Sequence, residues 1–116
     1  MKKWTDFLYR QSRGGILEYS YWGDWAGPKE FTTRQMCDAI SSVTPGELIS
    51  TAYLYYDLSL MQEFAEILGM QADAEDFARR AECVKAAFIK EFFDEAQGCV
   101  GTNSQGCNAI ALYMGR

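Results

Sequence analysis

The sequence contains no histidine, only two prolines, and no pair of cysteines separated by two residues. Without histidine there is no Ser-His-Asp or Cys-His nucleophile system and no metal site built on imidazole. Any proton transfer would have to use carboxylates, lysine, cysteine or tyrosine. The absence of a Cys-x-x-Cys pair argues against a zinc ribbon or a thioredoxin-like site. We therefore predict neither a metal site nor a cofactor.

Long apolar runs and positive charge are also scarce. No apolar stretch is long enough to span a membrane, and Met-Lys-Lys is followed by Trp4, Thr5 and Asp6 rather than by the apolar core of a signal peptide. Sixteen acidic residues outnumber 11 Lys and Arg, giving a formal charge of -5, which repels phosphate backbones and anionic lipid surfaces. We expect no nucleic-acid or membrane partner. The expected location is cytoplasmic, or periplasmic or secreted if the true N-terminus is missing.

What is present is the composition of one small globular domain. The 116 residues are 48% hydrophobic and 23% charged, which argues against disorder. Four cysteines lie at positions 37, 83, 99 and 107, and two of them occupy helical patterns as small apolar residues do. We therefore expect reduced, packed thiols rather than two disulfides.

The spacing of apolar residues predicts four helices and one long loop. The helices are expected at about residues 2–12, 45–68, 74–93 and 104–114, and the long loop at 13–44. Thr44-Pro45-Gly46-Glu47 has the form of a capping box, with Thr44 as N-cap and Glu47 completing the box. Gly69 is expected to end the same helix, and Ser104 to cap the last one.

The second predicted helix carries two apolar stripes. The first consists of Leu54, Leu58, Met61, Ala65 and Leu68, and the second of Ile49, Tyr53, Tyr56, Leu60, Phe64 and Ile67. A helix apolar on most sides is expected to be buried on most sides, whereas the third helix is apolar on one face only. Alternation of buried and half-solvated helices predicts an all-α architecture of inner and outer layers. The 13–44 and 94–103 loops should then emerge at the same end, because both precede an inner helix.

The segment from Glu18 to Glu30 is the strongest candidate for a binding site. It places four aromatic residues and three carboxylates in a loop, with Asp24 between Trp22 and Trp25. Flat aromatic faces stack on the C–H side of sugar rings, and a carboxylate accepts hydrogen bonds from sugar hydroxyls. The pattern therefore suggests a carbohydrate contact. The alternative is that both indoles are buried loop anchors and Asp24 forms an Asx-turn.

Other polar residues are weaker candidates. Asp57 lies within the predicted buried helix, so its carboxylate needs a polar partner or a wet cavity. Asn103, Ser104 and Gln105 can present polar groups at the end of the 94–103 loop, although helix capping explains Ser104. The tyrosines at positions 53, 55 and 56 are expected to be core residues.

The order of three segments resembles bacterial α-L-rhamnosidases. These are Tyr-Trp-Gly-Asp-Trp-Ala-Gly-Pro, then Thr-Pro-Gly-Glu-Leu-Ile-Ser-Thr-Ala-Tyr-Leu-Tyr-Tyr, then Phe-Ala-Arg-Arg-Ala-Glu-Cys-Val-Lys-Ala-Ala-Phe. The resemblance covers essentially the whole chain and implies an all-α fold, namely helical hairpins forming part of a six-hairpin (α/α)6 barrel. It also implies that Asp24, Trp25 and Trp22 contribute to a pocket for L-rhamnose-containing glycosides.

The same resemblance implies what the sequence does not contain. Family members hydrolyse α-L-rhamnosides with inversion, using one carboxylate as acid and another as base. The acid belongs to an Arg-Glu-bearing motif before the Gly-Asp-Trp loop and the base to a Trp-Glu-bearing motif after the last helix, and neither motif occurs here. We therefore assign no catalytic residue, and expect a fragment that is inactive alone.

A partial barrel is also expected to expose apolar helix flanks and to self-associate through them. Two other functions remain open from the sequence. One is a tetratricopeptide-like scaffold that binds protein, although no second copy at a period of about 34 residues is present. The other is a sugar-binding module without catalysis.

Overall fold

The fold is four helices and one short hairpin, as described by a computed structural model for residues 1–20 and 43–115. The elements are α1 (Lys2–Gln11), α2 (Gly46–Ile67), α3 (Gln71–Phe92), β1 (Phe93–Asp94), β2 (Cys99–Val100) and α4 (Gln105–Met114). The prediction of an all-α fold built from helical hairpins is confirmed. The two-stranded hairpin was expected to be loop; it pairs Phe93 with Val100 and Asp94 with Cys99 in antiparallel register.

Gly69 ends α2 as predicted. Its φ of 70° lies in the left-handed region, where the N–H of Gly69 donates to the Glu66 carbonyl (3.0 Å) and that of Met70 to the Ala65 carbonyl (2.8 Å). This pair of bonds is a Schellman motif, which satisfies carbonyls that the helix end would leave free. The turn is shorter than expected: α3 begins at Gln71 rather than at Ala74, because the Met70 carbonyl already accepts the Ala74 N–H (3.0 Å).

The main core lies between α2 and α3. Residues of the first α2 stripe are buried against the apolar face of α3, and the cluster consists of Leu17, Leu54, Leu58, Met61, Ala65, Ala74, Phe77, Ala81 and Val84. Helix α1 packs over one edge of this cluster through Leu8 and Tyr9. Arg80 of α3 also holds α1 in place: its guanidinium donates to the Asp6 carboxylate (2.7 Å) and lies over the Tyr9 ring.

A second, smaller core joins α4 and the hairpin to the start of α2. Leu48, Val100 and Cys107 are buried there, with Phe88 and Phe92 of α3 packed against them. Gly101 permits this contact, because a Cβ at that position would lie 2.9 Å from Leu48 Cδ1 and 3.0 Å from Cys107 Sγ. The hairpin therefore holds the N-terminal ends of α2 and α4 together.

The second α2 stripe is not buried, contrary to the expectation from the sequence. Tyr53, Tyr56, Phe64 and Ile67 are exposed, and so is Leu68 at the end of the first stripe. Helices α1, α3 and α4 contact only part of the circumference of α2, and no other described element lies over the remainder. Within the described ranges no helix combines the length and apolar character needed to cross a bilayer.

Candidate functional site

The three residues predicted to contact sugar, Asp24, Trp22 and Trp25, lie outside the described residues, which exclude 21–42. The structure does describe where the chain enters and leaves that segment. These two flanks lie against the N-terminal ends of α2 and α4, and we call this part of the molecule the loop-bearing end.

The first flank is fixed to α2 by the residue that follows a short turn at 13–16. Leu17 is buried, and its N–H donates to the Thr51 hydroxyl oxygen in α2 at 3.0 Å. Further along, Ser20 lies directly against Gly46, where an added Cβ would be 2.8 Å from the Ser20 Cβ. Only glycine allows this approach, so Ser20 lies beside the first turn of α2.

The second flank is fixed to the loop that precedes α4. The Val43 carbonyl accepts hydrogen bonds from the Thr102 hydroxyl and, at 3.8 Å, from the Cys107 thiol. The next residue, Thr44, is buried, and its hydroxyl oxygen lies 3.2 Å from that of Ser104. Because buried polar groups need hydrogen-bond partners, these contacts hold residues 43 and 44 against the start of α4.

Those contacts show that the predicted capping box is wrong. The N-cap of α2 is Pro45, and no side chain caps this helix. Thr44 does not cap because its hydroxyl is used across the molecule, on Ser104. Glu47, the expected second half of the box, makes no capping bond. The prediction for Ser104 is confirmed, since its hydroxyl oxygen accepts the Cys107 N–H at 3.1 Å.

Asn103 presents an exposed amide at the loop-bearing end. Its φ of 61° lies in the left-handed region, which asparagine tolerates better than most residues. Asn108 positions it, donating from Nδ2 to the Asn103 Oδ1 (2.9 Å) while its own Oδ1 accepts the Val100 N–H (3.0 Å). Gln105 is exposed beside it. The loop end therefore carries fixed polar groups able to hydrogen-bond hydroxyls.

A small acidic cavity lies close to the same flanks. It has a volume of about 410 Å³ and is lined by Ile16, Glu18, Glu47, Glu91 and Phe92. Of its carboxylates, Glu18 forms an exposed ion pair with Arg13 at 3.5 Å. Carboxylates accept hydroxyl hydrogen bonds and repel anions, so this end favours neutral polyhydroxylated ligands over phosphorylated ones.

Together these contacts confirm that the two loops emerge at one end. Residues 20, 43 and 102–104 all lie against the starts of α2 and α4, as the order of inner helices predicted. Sequence reasoning missed the contributions of Thr102 and Asn108, because both act through contacts between residues distant in the chain or across a loop. The only local signal was the polar run Thr-Asn-Ser-Gln before an apolar helix.

Asp57 lies about three turns along α2, away from the loop-bearing end. It is half-buried, and desolvation by burial raises the pKa of its carboxyl group above the usual value. Its neighbours Tyr53 and Tyr56, expected in the core, are exposed, and Tyr56 pairs with Tyr113 of α4 at 6.4 Å between ring centres. The predicted burial of these two tyrosines is therefore wrong.

The thiols in the described ranges are free, but only two of them are packed as expected: Cys99 and Cys107 are buried, whereas Cys83 is exposed. Cys83, Cys99 and Cys107 form no disulfide, and Cys37 lies outside the described residues. Burial alone raises the pKa of the Cys107 thiol, but hydrogen bonds with Ser104 and Thr102 outweigh it and lower that pKa. Among residues 1–20 and 43–115, no group of three or more Cys, Asp or Glu side chains is arranged to hold a metal ion.

A second cavity, larger than the acidic one, is apolar and borders the loop-bearing end through Val100 and Asn108. We call it the α3–α4 groove; its volume is about 530 Å³, and its lining is Ala52, Tyr55, Lys85, Phe88, Ile89, Phe93, Gly98, Val100, Asn108, Ala111, Leu112, Met114 and Gly115. Among the described residues, Lys85 and Asn108 are its only lining side chains with charged or amide groups, so this part of the chain gives the groove no pair of carboxylates for glycoside hydrolysis.

Comparison with known proteins agrees with this architecture. The family model described as the bacterial alpha-L-rhamnosidase 6 hairpin glycosidase domain matches residues 1–116. An alpha-L-rhamnosidase from Alteromonas sp. (strain LOR) is 29% identical over 113 residues, which are 97% of this chain and 12% of that protein. The structure of an alpha-L-rhamnosidase from Dictyoglumus thermophilum superposes with a TM-score of 0.81 at 29% identity, over 98% of this chain and 12% of that one. The chain therefore spans about an eighth of the length of either relative.

Proposed function

Because the chain belongs to the bacterial α-L-rhamnosidase six-hairpin glycosidase family, we propose that it forms part of a pocket for L-rhamnose-containing glycosides. The pocket residues are Asp24, Trp25 and Trp22, with the indoles stacking on the sugar and the carboxylate accepting its hydroxyl hydrogen bonds. The observation that carries this proposal is the position of the two flanks. Both ends of the segment that bears these residues are fixed at the polar, acidic loop-bearing end.

The proposed contribution is binding rather than complete catalysis. Inverting hydrolysis requires two carboxyl groups about 6.5–9.5 Å apart, one to protonate the leaving oxygen and one to activate water. The two motifs that carry this pair in the family have no counterpart in this sequence. We therefore expect the 116 residues alone to give no measurable hydrolysis of an aryl α-L-rhamnoside. Clear turnover that is lost in Asp24→Asn would show that the catalytic pair is within this chain.

Tryptophan fluorescence tests the binding proposal directly, because the chain has only three tryptophans. Trp4 lies on α1, whose start is held to the first turn of α3 by the Lys2–Asp73 ion pair rather than to the loop-bearing end. The variant Trp4→Phe leaves Trp22 and Trp25 as the only indole reporters. Titration of this variant with L-rhamnose should change the emission in a saturable way. Asp24→Asn in the same background should weaken the response, whereas D-glucose should give a smaller one. No response to L-rhamnose would contradict the proposal.

The family match over the whole chain favours this function over the tetratricopeptide-like scaffold, and a sugar-binding module without catalysis remains the second candidate. Absence of nucleic-acid and membrane partners and a cytoplasmic location stay predictions. We also propose that the isolated chain self-associates, and two observations support this. Apolar side chains are exposed on α1 and α4, and the α3–α4 groove has no described element over it.

A further inference from the structure

The α3–α4 groove has the form of a seat for a bulky apolar group. Its walls are residues at helical spacing, Lys85, Phe88 and Ile89 on α3 and Asn108, Ala111 and Leu112 on α4, and α2 forms its floor. Leu112, at the rim, is 80% exposed. An apolar concavity of this size, bounded by two helices, is typical of sites that receive aromatic or aliphatic side chains.

A matching projection lies on α1. The rings of Trp4 and Phe7 stack on each other with centres 5.7 Å apart, yet the residues are 60% and 46% exposed. The opposite side of α1, with Thr5, Leu8 and Tyr9, is packed on its own chain. We call Trp4 and Phe7 the α1 aromatic patch. Exposed aromatic pairs of this kind are characteristic of interface hot spots.

Charge favours contact between these two surfaces. Helix α1 carries Lys2, Lys3 and Arg10 against Asp6, a formal charge of +2, which leaves -7 for the rest of a chain whose total is -5. Lys2 is already paired with Asp73 of its own chain and Asp6 with Arg80, so Lys3 and Arg10 are the cations that α1 offers to a partner. The hairpin beside the groove bears Asp94 and Glu95. Lys85, the cation within the groove, lies 5.9 Å from the Tyr55 ring centre and so has a partner in its own chain.

We propose that the α1 aromatic patch of one copy of this chain docks in the α3–α4 groove of a second copy. This inference specifies the surfaces of the self-association proposed above and does not depend on sugar binding. The patch and the groove are different parts of the chain, so each copy can insert its patch into the groove of one neighbour and accept the patch of another neighbour in its own groove. Burial of the Trp4 and Phe7 rings stabilises the complex, and attraction between the basic helix α1 and the acidic hairpin orients the two copies.

The test is sedimentation velocity over a range of concentrations, with one variant for each surface. Trp4→Ala/Phe7→Ala removes the patch and keeps the groove, and Leu112→Glu places a charge at the groove rim and keeps the patch. Each should weaken association by more than about tenfold. The control is Ile67→Glu, since Ile67 is 79% exposed but lies at the end of α2, outside the groove lining; it should leave association unchanged.

Mixing the two defective variants gives a sharper result. One has an intact groove and the other an intact patch, so together they should form a heterodimer that neither forms alone, and added salt should weaken it. A wild-type chain that stays monomeric, an Ile67→Glu variant that dissociates as much as Leu112→Glu, or a mixture without heterodimer would each overturn the proposal.

Circular dichroism confirms folding of each variant. Loss of the L-rhamnose response with intact association would count against the proposed function only.

Discussion

The two apolar faces of α2 have similar residue types and opposite surroundings. One face, with Leu54 and Leu58, is sealed by α3 and is inaccessible to solvent, whereas the other, with Tyr53 and Phe64, is exposed. Periodicity in a sequence shows that a helix face is apolar, but it does not show what covers that face. The two relatives reported above are about eight times longer than this chain. An apolar face with no cover among residues 1–20 and 43–115 is what a piece of a larger helical domain should display.

The largest expected effect is a loss of stability when the sealed face is truncated. Leu58→Ala should lower the free energy of unfolding by about 2–5 kcal/mol, because it removes a fully buried side chain and leaves a cavity. Phe64→Ala on the exposed face should cost less than about 1 kcal/mol. Urea unfolding followed by far-UV circular dichroism measures both. Equal losses for the two variants would mean that the faces do not differ in burial.

A smaller effect is expected at the hairpin that closes over the start of α2. Gly101 and Gly98 both have left-handed φ angles, of 57° and 64°, so alanine is strained at either position. A Cβ added at Gly101 would also collide with Leu48 and Cys107. A Cβ added at Gly98 would have no other atom within 4 Å. Gly101→Ala should therefore cost about 1–3 kcal/mol more than Gly98→Ala.

Equal unfolding midpoints in urea for the two glycine variants would contradict that contact. It would mean that the hairpin does not press on Leu48, and that the N-terminal ends of α2 and α4 are held together by the hydrogen bonds of Thr44 and Thr102 instead.

The smallest effect concerns Asp57, which lies between the two faces. Burial raises its pKa above the unfolded value, so the ionised form is disfavoured in the folded state. Its contribution to stability is therefore greatest below the unfolded pKa and is lost as the pH rises through the folded pKa. Asp57→Asn should be modestly more stable than wild type at neutral pH, and this advantage should disappear in acid. A variant that is less stable at neutral pH would show that the carboxylate has a favourable partner.

Local signals in the sequence were sufficient for much of the fold. Gly69 and Ser104 act through their own backbone or the next turn, so their roles as helix stop and helix cap could be recognised without the tertiary structure. The first α2 stripe was likewise predictable, since its partner face on α3 follows within one hairpin. Thr44 could not be predicted, because its hydroxyl contacts Ser104, 60 residues away.

The chemistry of the candidate site stays a prediction, and only the position of its two flanks can be compared with the structure. The carboxylate and indoles of Asp24, Trp22 and Trp25 follow from residue types, whereas the Val43–Thr102 and Leu17–Thr51 contacts that fix the flanks depend on how the helices pack. Exposure of the second α2 stripe depends on which other segments surround the helix. The apolar pattern of α2 itself does not show which segments those are.

Amide chemical-shift mapping with L-rhamnose is the most direct test of the central claim, that the sugar-binding segment acts at the loop-bearing end. Addition of the sugar should shift the indole signals of Trp22 and Trp25 and the amides of residues 43–48 and 101–108. The Trp4 indole should not move. Shifts confined to the α3–α4 groove, or no shifts at saturating sugar, would contradict the account.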